Sequence, residues 1–157
     1  MMMSGLGLAR GVLFAGLAVT GLVVSGPAYA DREVTDLTFF TSPSGNLGCV
    51  IGPAGAAGNP VPYVRCDIRQ RDWTPPPRPP YCPPDTGYGQ GIEVSAGSPA
   101  VFVCAGDTSF SNDPALPYGD SISAGVIHCT SMESGMKCLD TQTGHGFSIA
   151  RQGYQLL

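Results

Sequence analysis

The chain has 157 residues, of which 22 are glycine and 15 are proline, and only 13% of the residues are charged. The formal net charge of −4 and the isoelectric point near 4.8 argue against a nucleic-acid partner, because such a partner requires clustered Lys and Arg to neutralise phosphates. Hydrophobic residues make up 43% of the chain, which is too many for wholesale disorder, and the length suits one domain.

Residues 1–30 are predicted to be an export signal that is cleaved. Arg10 supplies one positive charge, an apolar run of 16 residues follows it, and Ala28-Tyr29-Ala30 matches the small-residue pattern of a signal peptidase site. Cleavage after Ala30 leaves residues 31–157 as a single domain with a net charge of −5, secreted or in the cell envelope. The alternative is a membrane anchor, but the run is shorter than the roughly 20 residues that span a bilayer. We therefore expect no membrane span after cleavage.

All six cysteines lie after residue 30. An even number of cysteines in a small exported chain predicts three disulfides, although six cysteines allow 15 pairings. Two hairpin-like arrangements favour pairing Cys49 with Cys66 and Cys129 with Cys138, which leaves Cys82 with Cys104. The alternative is zinc ligation, but zinc sites use short spacings such as Cys-x2-Cys, and neighbouring cysteines here are at least nine residues apart.

Short β-favouring runs separated by Gly, Pro, Asn and Ser turns predict an all-β domain. These runs lie at residues 37–41, 47–51, 61–69, 100–105, 122–130, 136–140 and 146–151. In the third run apolar residues alternate with Arg65, Asp67 and Arg69, which predicts a half-buried strand with a charged outer face. No helix pattern follows the signal, so we expect a disulfide-stabilised sandwich or barrel of about seven to nine strands with Pro/Gly-rich loops.

Residues 74–84 (TPPPRPPYCPP) contain seven prolines. Such a run forms neither a helix nor a central strand, and polyproline II is its natural conformation. One interpretation is a rigid crossover attached to the domain through Cys82. The other is a recognition surface on which Trp73, Arg78 and Tyr81 contact a partner.

Few residues are candidates for catalysis. His145 lies between two glycines, where it is either a turn residue or an exposed base, metal ligand or contact residue, whereas His128 is expected to be packed or paired on a strand. A Ser-His-Asp set would have to use Ser42 or Ser44 with His145 and Asp107, and no Gly-x-Ser-x-Gly elbow marks a nucleophile. We therefore expect no catalytic residue, and a small hydrolase using His145 is the alternative.

No metal or cofactor is expected. Calcium could be held by the acidic loop at residues 107–120, but the spacing of its Asp residues matches no known calcium loop. No phosphate-binding glycine loop precedes a helix anywhere in the chain.

Five motifs occur together in the mature chain: FTSPSGN at 40–46, VRCDI at 64–68, CAGDT at 104–108, LPYG at 116–119 and TGHGFSI at 143–149. Together they resemble a family of small exported proteins from mycobacteria and other actinobacteria. That family has no known function. The resemblance therefore implies export and a Cys-stabilised domain, and it supplies no catalytic residue.

These patterns predict a non-catalytic exported module, binding or structural, with an unknown protein or cell-envelope partner. The expected contact residues lie in the Pro-rich segment and in exposed turns: Asn46, Trp73, Arg78, Tyr81, Tyr118 and His145. Within the binding class, the alternative is a secreted protease inhibitor, because such inhibitors need a rigid loop held by a disulfide.

Overall fold

The computed structural model describes residues 29–157, so all but the last two residues of the predicted export signal lie outside the described residues. Eleven strands and one 3₁₀ turn, Ala56–Gly58, make up its regular structure. The strands are β1 Asp31–Glu33, β2 Thr38–Thr41, β3 Leu47–Gly52, β4 Tyr63–Ile68, β5 Tyr88–Ser95, β6 Val101–Cys104, β7 Ser121–Ala124, β8 Ile127–Met132, β9 Gly135–Asp140, β10 Gly146–Ile149 and β11 Tyr154–Leu156. The predicted all-β class is confirmed.

The strands form two sheets that do not close into a barrel. One sheet has the order β1-β7-β8-β9-β10-β11 and the other has the order β2-β3-β4-β5-β6. All neighbours pair antiparallel except β1, which runs parallel to β7. Most neighbours are consecutive in sequence because short turns join them. The two-sheet alternative of the sequence prediction is therefore the correct one.

The two sheets share one hydrophobic core. Phe40, Ile51 and Ile92 come from the five-stranded sheet, and Ile122 and Phe147 come from the other; all five are almost completely buried. Burial of each such side chain stabilises the folded state by about 1.5–3 kcal/mol. This core fixes the ends of the strands, and with them the loops, relative to one another.

The three predicted disulfides are present: Cys49–Cys66, Cys82–Cys104 and Cys129–Cys138. The first and third join residues that lie directly opposite each other on β3–β4 and β8–β9, with Cα–Cα distances of 4.1 Å in both. Each sheet thus has one hairpin closed by a buried disulfide. The remaining bridge attaches the Pro-rich segment to the edge strand β6.

Eleven strands exceed the seven to nine that the sequence predicted. The run at 122–130 is a hairpin rather than one strand, because Gly125 adopts a φ of +56° and reverses the chain between β7 and β8. The short strands β1 and β11 have three residues each, too few for a recognisable alternation. The glycines at 89 and 91 interrupt the strand pattern of β5.

The charged outer face predicted for β4 is also corrected. Arg65 and Asp67 do lie on one side of the strand, as the alternation indicates, but they are only 8% and 1% exposed. The loop after β6 covers them, and its Asp107 and Ser109 bond to them. Periodicity identifies the face of a strand on which a residue lies, but it does not show whether a distant segment covers that face.

Candidate functional site

A polar cleft of about 510 Å³ lies at one end of the molecule, where loops from both sheets meet. Its walls are the turns β2–β3, β8–β9 and β10–β11, together with the residues that follow β4. Side chains with polar groups in the lining include Ser44, Asn46, Arg69, Tyr118, Glu133 and Arg151. This volume lies within the range of small-molecule sites, which is roughly 300–1,000 Å³.

Asn46 fixes one wall of the cleft. Its Nδ2 donates to the carbonyl oxygen of Gln70 at 2.9 Å, and its Oδ1 accepts from the Gln70 backbone N–H at 2.9 Å. The Arg69 backbone N–H donates to the Asn46 carbonyl oxygen at 3.0 Å. The amide of Asn46, expected to contact a partner, is thus used to position the two residues that follow β4.

Two serines shape the turn beside Asn46. The Ser42 hydroxyl accepts from the Leu47 backbone N–H at 3.0 Å and lies 3.0 Å from the Ser44 hydroxyl. Gly45 takes a φ of +69°, which tightens this turn at little steric cost. Both hydroxyls therefore have a structural role in the wall of the cleft.

Two of the residues that line the cleft are arginines. The Arg69 guanidinium lies over the ring of Phe110, 4.3 Å from its centroid. The Nε of Arg151 lies 3.5 Å from both carboxylate oxygens of Asp72, and both side chains of this pair are more than half exposed. An exposed ion pair of that length contributes about 0–1 kcal/mol, so it leaves Arg151 available to a ligand.

Trp73 lies behind the cleft and is partly buried. Its Nε1–H donates to the carbonyl oxygen of Ala150 at 2.8 Å, and Ala150 lines the cleft. The indole also packs against Phe102 and Tyr154, with ring centroids 6.1 and 4.7 Å away. These contacts give Trp73 a packing role at the start of the Pro-rich segment.

The Pro-rich segment crosses the molecule without forming a helix or a strand. Arg78 Nη1 donates to the carbonyl oxygens of Pro83 and Thr86 at 2.6 and 2.7 Å, and its guanidinium lies over the Tyr88 ring. Tyr81 is 71% exposed next to the disulfide-bonded Cys82. Of the three residues predicted here as contacts, Tyr81 and Arg78 are exposed and Trp73 is partly buried.

His145 lies at the opposite end of β10 from the cleft. At that end the Asp140 carboxylate accepts from the backbone N–H groups of Gly97, Gln142 and Thr143 at 2.7, 2.8 and 3.3 Å. The bond from Gly97, more than the other two, lowers the pKa of Asp140. The structure therefore brings Asn46 and Tyr118 together but separates His145 from them.

The Ser-His-Asp set that the sequence allowed is not assembled. Ser42 and Ser44 lie at the cleft, His145 lies at the other end, and the carboxylate of Asp107 accepts from Arg65 Nη1 at 2.7 Å. His128 is paired as predicted, with Nδ1 at 2.9 Å from the Ser123 hydroxyl and Nε2 at 3.3 Å from the Thr130 hydroxyl. This serine and histidine face each other on the β7–β8 hairpin, outside the cleft.

Within residues 29–157, no group of three or more His, Cys, Asp or Glu side chains is placed to hold a metal ion. The predicted alternative of a calcium loop at residues 107–120 therefore gains no support, and its first acid, Asp107, is already bonded to Arg65. No helix in this part of the chain has the length and apolar character needed to cross a membrane.

Several residues of the cleft were not among the predicted contacts: Arg69, Gln70, Glu133, Arg151 and Gln152. They belong to turns that are separate in sequence. Antiparallel pairing places the turns of one sheet side by side, and the packing of both sheets on one core brings the two sets of turns together. One signal was available, since each of two predicted strands ends on a polar residue that is followed by another, at 69–70 and at 151–152.

A family model described as a family of unknown function, DUF6636, matches residues 18–157. This match agrees with the resemblance found in the sequence in that the family has no assigned function. Neither the curated proteins nor the solved structures contain a match.

Proposed function

We propose that this chain, which belongs to the DUF6636 family of unknown function, is an exported, non-catalytic module that binds a small polar ligand in the cleft. The observation that supports this proposal most strongly is the convergence of turns from both sheets on one cavity of about 510 Å³. The shared core and three disulfides hold these turns in place, which lowers the entropic cost of ordering a binding site.

The disulfides support the exported location. Disulfides persist in oxidising compartments and are rare in the cytosol of mesophiles. All six cysteines of the chain are paired in the structure. The predicted signal at residues 1–30 provides the route of export and is the part of the proposal that N-terminal sequencing of the mature protein would test.

The lining of the cleft supports binding rather than hydrolysis. The hydroxyls of Ser42 and Ser44 bond within their own turn, and the two histidines lie elsewhere in the described chain. A nucleophilic serine needs a base within hydrogen-bonding reach. Hydrogen-bonding and cationic side chains without that pairing suit recognition of a ligand.

The test is an NMR titration of the ¹⁵N-labelled mature protein with amino acids, dipeptides, monosaccharides and disaccharides. At least one probe is expected to shift the amides at 69–70 and 151–152, and Tyr118→Ala should weaken that probe about tenfold because its side chain lines the cleft. His145→Ala is the matched control, since His145 lies at the other end of β10. Shifts confined to the His145 end, or an unchanged affinity in Tyr118→Ala, would contradict the cleft assignment.

A second function, contact with a protease through the Pro-rich segment, is favoured by one observation. Tyr81 is 71% exposed on a loop that is held by the Cys82–Cys104 bridge and by the bonds of Arg78. An inhibitor needs such a rigid, exposed side chain. Inhibition of a secreted protease that is lost in Tyr81→Ala and kept in Tyr118→Ala would support it, and no inhibition across a panel of serine and cysteine proteases would remove it.

A further inference from the structure

Five of the six arginines of the described chain, all except the exposed Arg32 on β1, fall into two groups. In the first group the guanidinium donates to acceptors of the protein itself. Arg65 donates to Asp67 and Asp107, Arg71 donates to the carbonyl oxygen of Gly89, and Arg78 donates to the carbonyl oxygens of Pro83 and Thr86. These three side chains have structural roles.

Arg69 and Arg151 belong to the second group, and both line the cleft. Among residues 29–157, no hydrogen-bond acceptor is bonded to the Arg69 guanidinium, and Arg151 has only the long, exposed contact with Asp72. Most of the N–H groups of these two side chains are therefore available to a ligand. Because both arginines line the same cleft, they differ from isolated charged side chains on the surface.

The Arg69 guanidinium rests on a platform built from two distant segments. Phe110 lies beneath it at 4.3 Å, and Gly48 of β3 lies beneath Phe110. A Cβ at position 48 would be 2.8 Å from the Phe110 Cα, so the close approach of this loop requires glycine. Stacking occupies the face of a guanidinium and leaves its N–H edge open for a two-point bond.

The charge of the lining limits the charge of the ligand. Two arginines and Glu133 give the lining residues one net positive charge, and Asp72, which contacts Arg151 at 3.5 Å, is not among them. That excess matches one negative charge. A phosphate monoester carries up to two negative charges at neutral pH, more than the lining compensates.

We propose that the ligand of the cleft carries a single carboxylate, which Arg69 and Arg151 bind. This inference rests on the proposed binding function and adds the chemical class of the ligand. A carboxylate accepts two parallel N–H bonds from a guanidinium, and the neutral side chains of Gln70, Gln152 and Tyr118 surround the position with hydrogen-bonding groups. A peptide with a free C-terminus and a sugar acid both have this chemistry.

The experiment compares acidic probes with neutral counterparts of the same shape. The pairs are acetyl-Ala-Ala with its C-terminal amide, and a glucuronic-acid disaccharide with the corresponding neutral disaccharide. Affinity is measured by calorimetry and by the fluorescence of Trp73, the one tryptophan, whose indole N–H bonds to the cleft residue Ala150. The two pairs distinguish a peptide source from a sugar source of the carboxylate.

We expect at least one acid to bind about tenfold or more tightly than its neutral partner, as a charge-assisted bond predicts. Arg69→Gln and Arg151→Gln should each weaken binding of the acid about tenfold and reduce its advantage in affinity over the neutral partner. Lys137→Gln is the matched control, because it removes an exposed cation outside the cleft. Arg69→Lys should be intermediate, since it keeps the charge and loses the two-point geometry.

Two outcomes would overturn the inference in different ways. If an acid and its neutral partner shift the cleft amides with equal affinity, binding in the cleft stands and the carboxylate assignment is wrong. If no probe of either kind binds, the proposed function and this inference both fail. Thermal unfolding of each variant confirms that a lost affinity does not come from a lost fold.

Discussion

Arg65 and Asp67, two residues apart on β4, form a two-point ion pair beneath the loop that follows β6. Arg65 Nε and Nη2 donate to the two carboxylate oxygens of Asp67 at 2.9 and 2.8 Å. The loop joins this pair through Asp107, whose carboxylate accepts from Nη1 at 2.7 Å, and through Ser109, whose backbone N–H donates to Asp67 at 2.9 Å. The bond from Arg65 also lowers the pKa of Asp107. This pair thus attaches the loop that carries Phe110 to the sheet.

Replacing Arg65 with Met should strongly destabilise the protein. The change leaves the Asp67 carboxylate buried without its cation, and the loss of one partner of a buried pair costs about 3–5 kcal/mol of unfolding free energy. Urea unfolding at pH 7 measures this loss of unfolding free energy. The control is Arg151→Met, whose exposed pair with Asp72 should cost about 1 kcal/mol or less.

The double variant Arg65→Met/Asp67→Leu tests whether the loss of stability comes from the unpaired carboxylate of Asp67. It removes both charges, so it should be less destabilised than the sum of the two single variants. Additive losses, or a cost for Arg65→Met as small as that for Arg151→Met, would show that the buried pair does not hold the loop.

The sequence predicted the features that depend on residues close to one another in the chain. Alternation places apolar residues on one side of β4, and the disulfide pairs follow from hairpins in which Cys49 faces Cys66 and Cys129 faces Cys138. Contacts between residues far apart in the sequence leave no pattern around either residue. Asp107 lies 42 residues from Arg65, and nothing near either residue indicates that they meet. The cleft could not be predicted for the same reason, because its turns come from two sheets that meet only when they pack on a shared core.

The Cys82–Cys104 bridge should be reduced before the other two. Cys104 is partly exposed, and Cys82, although only 2% exposed, lies in a segment without strand hydrogen bonds. The four cysteines of the other two bridges are fully buried between paired strands. A thiol attacks a disulfide only where it has access. Titration of the folded protein with mild reductant, followed by alkylation and peptide mass mapping, should find label first on Cys82 and Cys104.

Loss of the Cys82–Cys104 bridge should also lower the free energy of unfolding. Its 22-residue separation corresponds to about 3 kcal/mol in the chain-entropy model, and a Cys82→Ser/Cys104→Ser variant should lose about that much. Because the sheets keep their own bridges, this variant should remain folded. Equal labelling of Cys49 and Cys66 at the same reductant concentration would contradict the order of reduction.

Asp140 and Glu93 should give opposite dependences of stability on pH. Backbone N–H bonds, above all the bond from Gly97, lower the pKa of Asp140, so its stabilisation is complete above the unfolded pKa of about 3.9 and is lost as the pH falls through the folded pKa. Asp140→Asn should therefore cost about 2 kcal/mol at pH 7 and much less near pH 2, as measured by urea unfolding across this range.

Glu93 should show the opposite dependence of folding stability on pH. Burial raises its pKa, against a smaller lowering by Arg65, so the folded state favours the protonated form. Stability from this group is present below the unfolded pKa of about 4.3 and is lost as the pH rises through the folded pKa. Glu93→Gln should therefore gain stability relative to the natural chain as the pH rises from 4 to 7, whereas Asp140→Asn should lose stability at lower pH, as the pH rises toward about 3.9. Parallel changes in the two variants would contradict the assignment, because they would reflect net charge rather than the two local environments.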